Sequence, residues 1–230
     1  MCGIFGWQKK SPAVKSGGKF KFFARMLAFL NDERGGDSWG VYNPEADTLV
    51  KGLGLVGHSS TVKKIHDCPS LLGHTRAATT GKVTTKNAHP FKFKRVVGAH
   101  NGIVYNHLDL NWHYSRDLAV DSAHIFAHLN AGHKLDDIEA YGAIEYVYRQ
   151  QPGRIYLGNF HSGILSVAEL EGVGMVWSSS QNHLWTALEI AGLGKQVLFC
   201  GELKSERLYF VQGGELYETK RTINIAPPQQ

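Results

Sequence analysis

Cysteine is scarce in this sequence, and long apolar runs are missing. Among 230 residues the only cysteines are Cys2, Cys68 and Cys200. Such an odd, sparse set predicts no disulfide framework, lacks the paired spacing of a zinc site and suits a reducing compartment. No apolar run reaches the roughly 18 residues of a membrane-spanning helix, and Lys9 and Lys10 interrupt the N-terminal apolar stretch before it could form a signal peptide. We therefore expect a cytoplasmic protein without membrane association.

Internal repeats, low-complexity segments and a Gly-rich phosphate loop of the P-loop type are also missing. We expect neither a cofactor nor a metal. The net charge is +5, and basic residues concentrate at 9–25 and 92–95. They could form a patch for nucleic acid or an acidic partner. Because no nucleic-acid-binding module accompanies them, a basic, solvated surface is the favoured interpretation and a nucleic-acid partner is not expected.

What is present is the composition of a globular protein, with 43% hydrophobic and 20% charged residues. The apolar spacing of Phe23, Met26, Leu27 and Leu30 predicts a helix after a surface loop at 8–19. Further helices are predicted near 60–66 and at 121–130, 135–150 and 182–192. Short strands are predicted at CGIFGW, in a hairpin over 41–57, at LLGHTR, at VVGAH (ended by the Asn-Gly pair 101–102) and repeatedly after residue 153.

The hairpin-rich order of these strands, with helices grouped between them, predicts an α+β fold with antiparallel sheets. We expect one domain over residues 2–222. The proline-containing end, 223–230, is expected to be a separate C-terminal tail because it cannot continue a strand.

The chain opens MCGIFG, which places a thiol directly after a methionine. Methionine is commonly removed before a small residue, and its removal would give Cys2 a free α-amine with a pKa of about 7.7–8.0. That amine could take the thiol proton, so that one residue would carry both nucleophile and base. Gly3 would let a substrate approach the backbone. By itself, the motif more commonly places a small apolar side chain at the start of a buried strand.

Three later stretches could complete a site around such a thiol. In GHTRAATTG (73–81), Arg76 could hold a carboxylate through two hydrogen bonds, or form an ordinary surface ion pair. In AHNGIVYN (99–106), the Asn101 amide and the Gly102 N–H could point at one oxyanion, although Asn-Gly is also a common hairpin turn. In VDSAHIFAHL (120–129), Asp121 could bind a substrate ammonium, cap the helix, or do both.

Together these motifs resemble the glutaminase domain of class II glutamine amidotransferases, which are N-terminal-nucleophile hydrolases. MCGIFG matches the start of the family, and RGGDSWG (34–40) is similar to its RG-x-DS-x-G turn. GHTRAATTG with NAHPF (87–91) resembles its H-T-R-x-x-T…N-A-H-P segment, and HNGIVYN its H-N-G-x-x-x-N segment. Asp-Ser at 121–122 stands where the family has Asp-Ser/Thr before a helix. The matches follow the family's order over residues 2–130, and the resemblance implies a four-layer α-β-β-α sandwich.

The resemblance also implies a reaction. Cys2 would attack the side-chain amide of glutamine and release ammonia, and water would then release glutamate from the γ-glutamyl thioester. Asn101 and Gly102 would form the oxyanion hole. Arg76 would hold the α-carboxylate of the substrate, and Asp121 its α-amine. No propeptide precedes Cys2, so maturation would need only the loss of methionine.

Four further residues receive supporting roles from the resemblance. Thr79 and His89 would line the substrate pocket, although a core or turn role is nearly as well suited to His89. Arg34 and Asp37, in the RGGDSWG turn, would organise the loop beside the nucleophile rather than contact the substrate.

The sequence departs from the family in two places and in its length. Ala77 stands where some members carry a bulky aromatic residue that helps gate ammonia, and Thr80 where the amino-sugar-forming members carry histidine. The first departure puts a synthase-type ammonia channel in doubt. Most members fuse this domain to an acceptor domain, for which 230 residues leave no room. We therefore expect a separate ammonia-accepting synthetase or transferase subunit as partner.

Three alternatives remain open. The same residues could serve a stand-alone hydrolase of another γ-glutamyl or small amide. The chain could be a basic binding module on a scaffold that has lost its activity, although the five intact residue types of the predicted site argue against this. A metal could bind His124 and His128, four residues apart on a predicted helix, but no third ligand is in view.

Overall fold

A computed structural model describes residues 1–15 and 17–222. The strands are β1 (Gly3–Lys9), β2 (Ser38–Asn43), β3 (Thr48–Leu53), β4 (Ser70–Arg76), β5 (Phe91–Lys92), β6 (Val96–Val104), β7 (Ala140–Tyr148), β8 (Arg154–Phe160), β9 (Ser166–Leu170), β10 (Gly174–Ser178), β11 (Val197–Glu202), β12 (Arg207–Gln212) and β13 (Glu215–Thr222). The α-helices are α1 (Gly18–Asn31), α2 (His107–His113), α3 (Ala123–Ala131) and α4 (Gln181–Ile190). Within these described ranges, no helix is long and apolar enough to cross a membrane. The predicted tail, 223–230, lies outside the described residues.

The strands form two antiparallel sheets. The first has seven strands in the order β11-β9-β10-β1-β4-β2-β3, and the second has six in the order β13-β12-β8-β7-β6-β5. Three clusters of buried apolar side chains fill the interfaces between adjacent layers. One lies between helices α1 and α4 and the first sheet, one between the two sheets, and one between the second sheet and helices α2 and α3. The predicted four-layer α-β-β-α sandwich is confirmed.

Strand β1 shows how the alternating side chains of a strand build this arrangement. Ile4 belongs to the cluster between the sheets, whereas Phe5 and Trp7 belong to the cluster under α1. The Trp7 ring meets the Phe20 ring of α1 edge to face, with 5.7 Å between centroids. Because β1 is buried on both faces in the middle of its sheet, the residue that precedes it, Cys2, is held by a rigid element.

Two sequence-based predictions of secondary structure are wrong. The predicted helix at 135–150 is instead strand β7, which pairs with β6 on one side and β8 on the other. Strand β7 packs against a layer on each of its faces, so its sequence is almost continuously apolar and lacks the alternation that identifies a strand. The pair Asn101-Gly102 does not end β6, because Asn101 pairs with Ala143 and Gly102 with Gly142, and β6 continues to Val104.

Smaller differences concern helices. The segment near 60–66 forms two 3₁₀ turns, Ser60–Lys63 and Ile65–Asp67, rather than one helix. Helices α1, α3 and α4 lie where the apolar spacing predicts them, within about two residues at most ends. Helix α2 was not predicted, since its seven residues expose Leu108 and Trp112 and bury only Leu110.

Candidate active site

Cys2 opens onto a cavity of about 250 Å³ at the end of the sandwich where β1 begins. Segments from both sheets surround it. The lining residues are Met1, Cys2, Arg34, Ala77, Thr79, Asn101, Gly102, Ile103, Tyr141, Gly142, Ser162, Gly163, Ile164 and Ser179. The volume lies below the range of about 300–1,000 Å³ for drug-sized ligands and suits a ligand no larger than an amino acid.

The backbone around Cys2 is held from two directions. Arg34 Nε donates a hydrogen bond to the Cys2 carbonyl at 2.8 Å. A Cβ on Gly3 would lie 2.6 Å from Asn31 Oδ1 and 2.7 Å from Thr75 Oγ1, so this glycine is required by close packing. Gly3 therefore has a packing role, and its role in substrate approach stays a prediction. The nucleophile candidate is pre-positioned by its neighbours.

The Cys2 thiol lies 3.4 Å from the Ala77 carbonyl, to which it can donate. Burial raises the pKa of this thiol, while the positive charges of the chain's N-terminus and of Arg76 act against that increase. A thiol with a raised pKa is protonated at neutral pH and a poor nucleophile. It therefore needs a base within reach, which a free α-amine on the same residue can supply.

Asn101 and Gly102 lie side by side on β6 at the cavity wall. Gly102 has no space for a side chain, because a Cβ there would lie 1.9 Å from the Tyr141 carbonyl. Directly beneath them, the His100 ring contacts that same carbonyl through Nε2 at 3.0 Å and Ser122 Oγ through Nδ1 at 2.9 Å. Burial lowers the pKa of His100 to about 4, so the ring is neutral and holds β6, β7 and the start of α3 together.

Arg76 and Asp121 are buried behind the cavity rather than in its wall. The Arg76 guanidinium donates to the carbonyls of Thr80 and, at 3.4 Å, of Lys82. Asp121 Oδ2 accepts from the Val104 N–H at 2.8 Å, so the carboxylate stabilises β6 instead of capping α3. Both charges act on the pKa of Cys2, in opposite directions. A cation and an anion thus lie close behind the thiol.

The supporting residues divide into two groups. Thr79 lines the cavity, but His89 does not: its buried ring stacks on His74 with 4.1 Å between centroids. Arg34 lines the cavity and holds Cys2 as described, and Asp37 Oδ2 accepts from the Ala78 N–H at 2.8 Å. Arg34 and Asp37 therefore order the segments on either side of the thiol.

Several lining residues have no signal in the sequence. Tyr141 belongs to the segment for which a helix was predicted, yet the β6–β7 register pairs it with Ile103 and places it on the cavity side of the sheet. Its ring lies 5.9 Å from that of Tyr105. Ser179 exchanges two hydrogen bonds with Ile4, one at its Oγ and one at its N–H, each 2.9 Å long. Only alignment of relatives or the fold itself could identify such residues.

The pair His124 and His128 lies outside this site. Both rings are buried in α3, and His128 Nε2 is 3.3 Å from Asp137. Across the residues that the structure describes, no three His, Cys, Asp or Glu side chains are grouped so that they could hold a metal ion.

Comparison of the sequence with known proteins finds relatives over about half of the chain. It is 35% identical over 115 residues to glutamine–fructose-6-phosphate aminotransferase (isomerizing) of Gluconobacter oxydans, which covers 48% of this chain and 17% of that protein. It is 38% identical over 85 residues to amidophosphoribosyltransferase of Mus musculus, covering 32% and 16%. The matched segments thus span less than a fifth of these relatives. No protein-family model matches the chain.

Solved structures extend the similarity to nearly the whole fold. The allosteric regulatory enzyme of purine biosynthesis superposes with a TM-score of 0.71 at 19% identity, covering 97% of this chain and 50% of that chain. A glutamine aminotransferase class-II domain protein from Silicibacter pomeroyi superposes with a TM-score of 0.53 at 13% identity, covering 96% and 99%. The sequence relatives confirm the resemblance indicated by the motifs, and the structures confirm the fold.

Proposed function

We propose that this chain, which resembles class II glutamine amidotransferase domains in sequence and fold, hydrolyses the side-chain amide of glutamine to glutamate and ammonia. The observation that carries the proposal is the meeting of Cys2, Asn101 and Gly102 on one small cavity, with Arg76 and Asp121 close behind it. An amino acid bearing an amide needs such a set: a nucleophile, an oxyanion hole, a cation for its carboxylate and an anion for its amine.

Removal of Met1 precedes the reaction, and the 85% exposure of this residue makes it accessible to an aminopeptidase. The freed Cys2 amine takes the proton from Sγ as Sγ attacks the amide carbon. The carbonyl oxygen becomes an oxyanion facing Asn101 and Gly102. The C–N bond then breaks, the amine returns the proton to the leaving nitrogen, and ammonia departs. Water attacks the thioester in the same way, releasing glutamate and regenerating the thiol.

Substrate binding uses the two buried charges. The Arg76 guanidinium carries five N–H donors, and its contacts with Thr80 and Lys82 leave donors free for the α-carboxylate. Asp121 has a second oxygen besides the one that accepts from the Val104 N–H, and we assign that oxygen to the α-ammonium of the substrate. Glutamine bound in this way directs its α-carboxylate and α-ammonium towards these charges and its side-chain amide towards the thiol.

The ammonia is passed to an acceptor enzyme. Both sequence relatives are named for reactions that move an amino group onto a phosphorylated sugar, and this chain matches only a short part of each. We propose that the acceptor is a separate synthetase or transferase subunit. Copurification from the native cell, with and without a glutamine analogue that alkylates the thiol, tests this; recovery of the chain alone in both samples counts against it.

The glutaminase reaction is tested with purified protein whose N-terminus is checked by intact mass. Glutamine, asparagine and γ-glutamyl-p-nitroanilide are offered, and we expect glutamine to have the highest kcat/KM. Cys2→Ala should remove activity without changing the thermal unfolding temperature, whereas Cys200→Ala, on strand β11, should change neither. Preference for the larger γ-glutamyl amide would support the stand-alone hydrolase instead. Full activity in protein that retains Met1 would overturn the amine-base mechanism.

A further inference from the structure

A second cavity, of about 610 Å³, shares the 77–90 segment with the cavity at Cys2: Thr85, Lys86 and Asn87 line the second cavity, whereas Ala77 and Thr79 line the first. We call the second cavity the Lys51 cavity. Its apolar lining consists of Leu49, Phe91, Phe93, Leu118, Ala119, Val120 and Ala123. Its polar lining includes three lysines, Lys51, Lys86 and Lys92, and one carboxylate, Asp117. It is therefore a mostly apolar cavity with an excess of positive charge.

Lys51 differs from an ordinary surface lysine in its partners. Its ammonium donates to the Ala88 carbonyl and, at 3.5 Å, to the Lys86 carbonyl, and it lies 5.5 Å from the centre of the Phe91 ring. Among the described residues no carboxylate forms an ion pair with it, whereas Lys92 Nζ in the same lining is 3.0 Å from Asp47. Burial lowers the pKa of Lys51 to about 8, and repulsion from Arg76 adds to this effect.

A half-buried cation that has only neutral partners is unfavourable, and an anion beside it offsets the cost. We propose that the Lys51 cavity binds a small organic anion, with its carboxylate, phosphate or sulfonate group on Lys51 and an apolar body against Phe91 and its neighbours. The apolar lining accounts for the body and the ammonium for the charged group, as in ligand sites that combine apolar walls with a few polar groups.

The Lys51 cavity is connected to the predicted substrate site by hydrogen bonds. Asn87, in its lining, donates through Nδ2 to the Lys82 carbonyl at 3.0 Å, and Arg76 Nη1 donates to that same carbonyl at 3.4 Å. On the opposite wall, Val120 directly precedes Asp121. A ligand that moves either wall or adds negative charge near Arg76 changes how the glutamine carboxylate is held. This coupling rests on the proposed function, whereas binding itself does not.

The sign of the coupling follows from charge. An anion on Lys51 lies close enough to act on Arg76, since the two cations already repel each other. Repulsion between the bound anion and the α-carboxylate weakens substrate binding. We therefore expect occupancy to raise the KM for glutamine.

Binding is measured by calorimetry with phenyl phosphate and phenylacetate as anionic probes and benzyl alcohol as the uncharged probe. We expect at least one anion to bind, benzyl alcohol to bind at least tenfold more weakly, and Lys51→Met to weaken anion binding at least tenfold. Lys51→Arg should retain it. Lys94→Ala removes an exposed charge outside the lining and should change the Kd less than twofold. Equal affinity of Lys51→Met and the unmodified chain, or of charged and uncharged probes, would overturn the site.

Two further measurements keep the test decisive. Lys51→Gln is the second variant should Lys51→Met fail to fold, and thermal unfolding of each variant is recorded first. In the activity assay, the anion that binds should raise the KM for glutamine at least threefold in the unmodified chain and leave it unchanged in Lys51→Met. Binding without a change in KM overturns the coupling. A chain without glutaminase activity refutes the proposed function, while calorimetry still decides whether the anion binds.

Discussion

At the scale of single residues, the candidate chemistry depends on side chains that are held before any substrate arrives. The carbonyl of Cys2 accepts from Arg34, and the loop beyond Ala77 is held by Asp37. Such preorganisation lowers the cost of reaching the reactive geometry. Removal of one group from a preorganised site therefore affects the rate far more than the stability, and that difference separates catalytic from structural roles.

Asn101 provides one such test. Asn101→Ala should lower kcat by about 10²–10³ with little change in KM, which is the usual size for one oxyanion donor. The unfolding midpoint in urea is measured alongside, with Asn111→Ala on α2 as a variant outside the cavity. A fall in kcat below about threefold assigns Asn101 to the β6–β7 pairing alone.

Arg76 provides a second test. Arg76→Lys should raise the KM for glutamine at least tenfold with a smaller effect on kcat, because an ammonium cannot reproduce the two directed N–H donors of a guanidinium. Arg154→Lys, which alters the contact with Gln212 on β12, is the matched control. An unchanged KM means that another group holds the α-carboxylate.

At the scale of elements, the cavity depends on the close approach of β6 and β7. Where Gly102 pairs with Gly142, neither strand has a side chain, and a Cβ on Gly102 would lie 1.9 Å from a β7 carbonyl. Gly142 has a φ of 128°, a conformation that residues with a Cβ rarely adopt. The two backbones can therefore approach this closely only with glycine at both positions.

Gly102→Ala tests this dependence. The clash is with backbone, so it cannot be relieved by a rotamer change, and we expect a loss of about 1–3 kcal/mol in the free energy of unfolding together with loss of activity. Gly153→Ala is the control, since a Cβ there meets no atom within 4 Å. Urea unfolding measures both, and equal stability of the two variants contradicts the argument.

At the scale of the whole molecule, stability should depend on pH through groups buried between and beneath the sheets. Burial lowers the pKa of His74 to about 3, and that of His100 to about 4. Burial also raises the pKa of Glu145 well above its ordinary value. The folded protein thus keeps these histidines neutral and Glu145 protonated, whereas the unfolded chain titrates near 6.5 and 4.3.

The two histidines and Glu145 make the free energy of unfolding depend on pH in opposite directions. Below about pH 6.5 these histidines bind protons in the unfolded chain but stay neutral in the folded protein. The free energy of unfolding therefore falls on acidification by roughly 1.4 kcal/mol per pH unit for each histidine. Above about pH 4.3 Glu145 loses its proton in the unfolded chain but stays protonated in the folded protein. The contribution of Glu145 to the free energy of unfolding therefore falls as pH rises. Since His74 and His100 together outweigh Glu145, stability should decline on acidification from pH 6.5 to 4.5, as measured by urea unfolding.

Glu145→Gln isolates the second effect. The amide can still accept from Trp177 Nε1, which donates to Glu145 Oε2 at 2.7 Å. As pH rises from 5 to 8, the free energy of unfolding of the variant should increase relative to that of the unmodified chain, because the amide of Gln does not titrate in either state. Glu169→Gln, on strand β9 next to the edge strand β11, is measured for comparison because its carboxylate is partly exposed and pairs with Lys10 at 3.3 Å. A difference between Glu145→Gln and the unmodified chain that is constant with pH contradicts the protonated state.

The residues of the candidate site could be predicted from the sequence where they lie in short, recognisable motifs. The site residues Cys2, Arg76, Asn101 and Gly102 lie in the short motifs MCGIFG, GHTR and HNG, and Asp121 lies in the Asp-Ser pair before helix α3. The order of these motifs along the chain supports the family resemblance, and the resemblance assigns a role to each of the five residues. Tyr141 and Ser179 were not predictable, because tyrosine and serine serve anywhere in a fold. Strand β7 was misjudged for the related reason that burial on both faces removes the periodicity by which a strand is recognised.

The order of short strands and helices in the sequence was enough to predict an α+β fold, and MCGIFG was enough to suggest the nucleophile. The roles of the residues around the thiol came from the family resemblance that the ordered motifs support. The packing of distant segments was needed to show that His89 lies in the core, that Arg76 and Asp121 lie behind the cavity, and that Lys51 lines a second cavity. The physical reason is that cavities form between segments distant in the chain. Their walls are set by strand register and by how tightly the glycines of facing strands allow the backbones to meet.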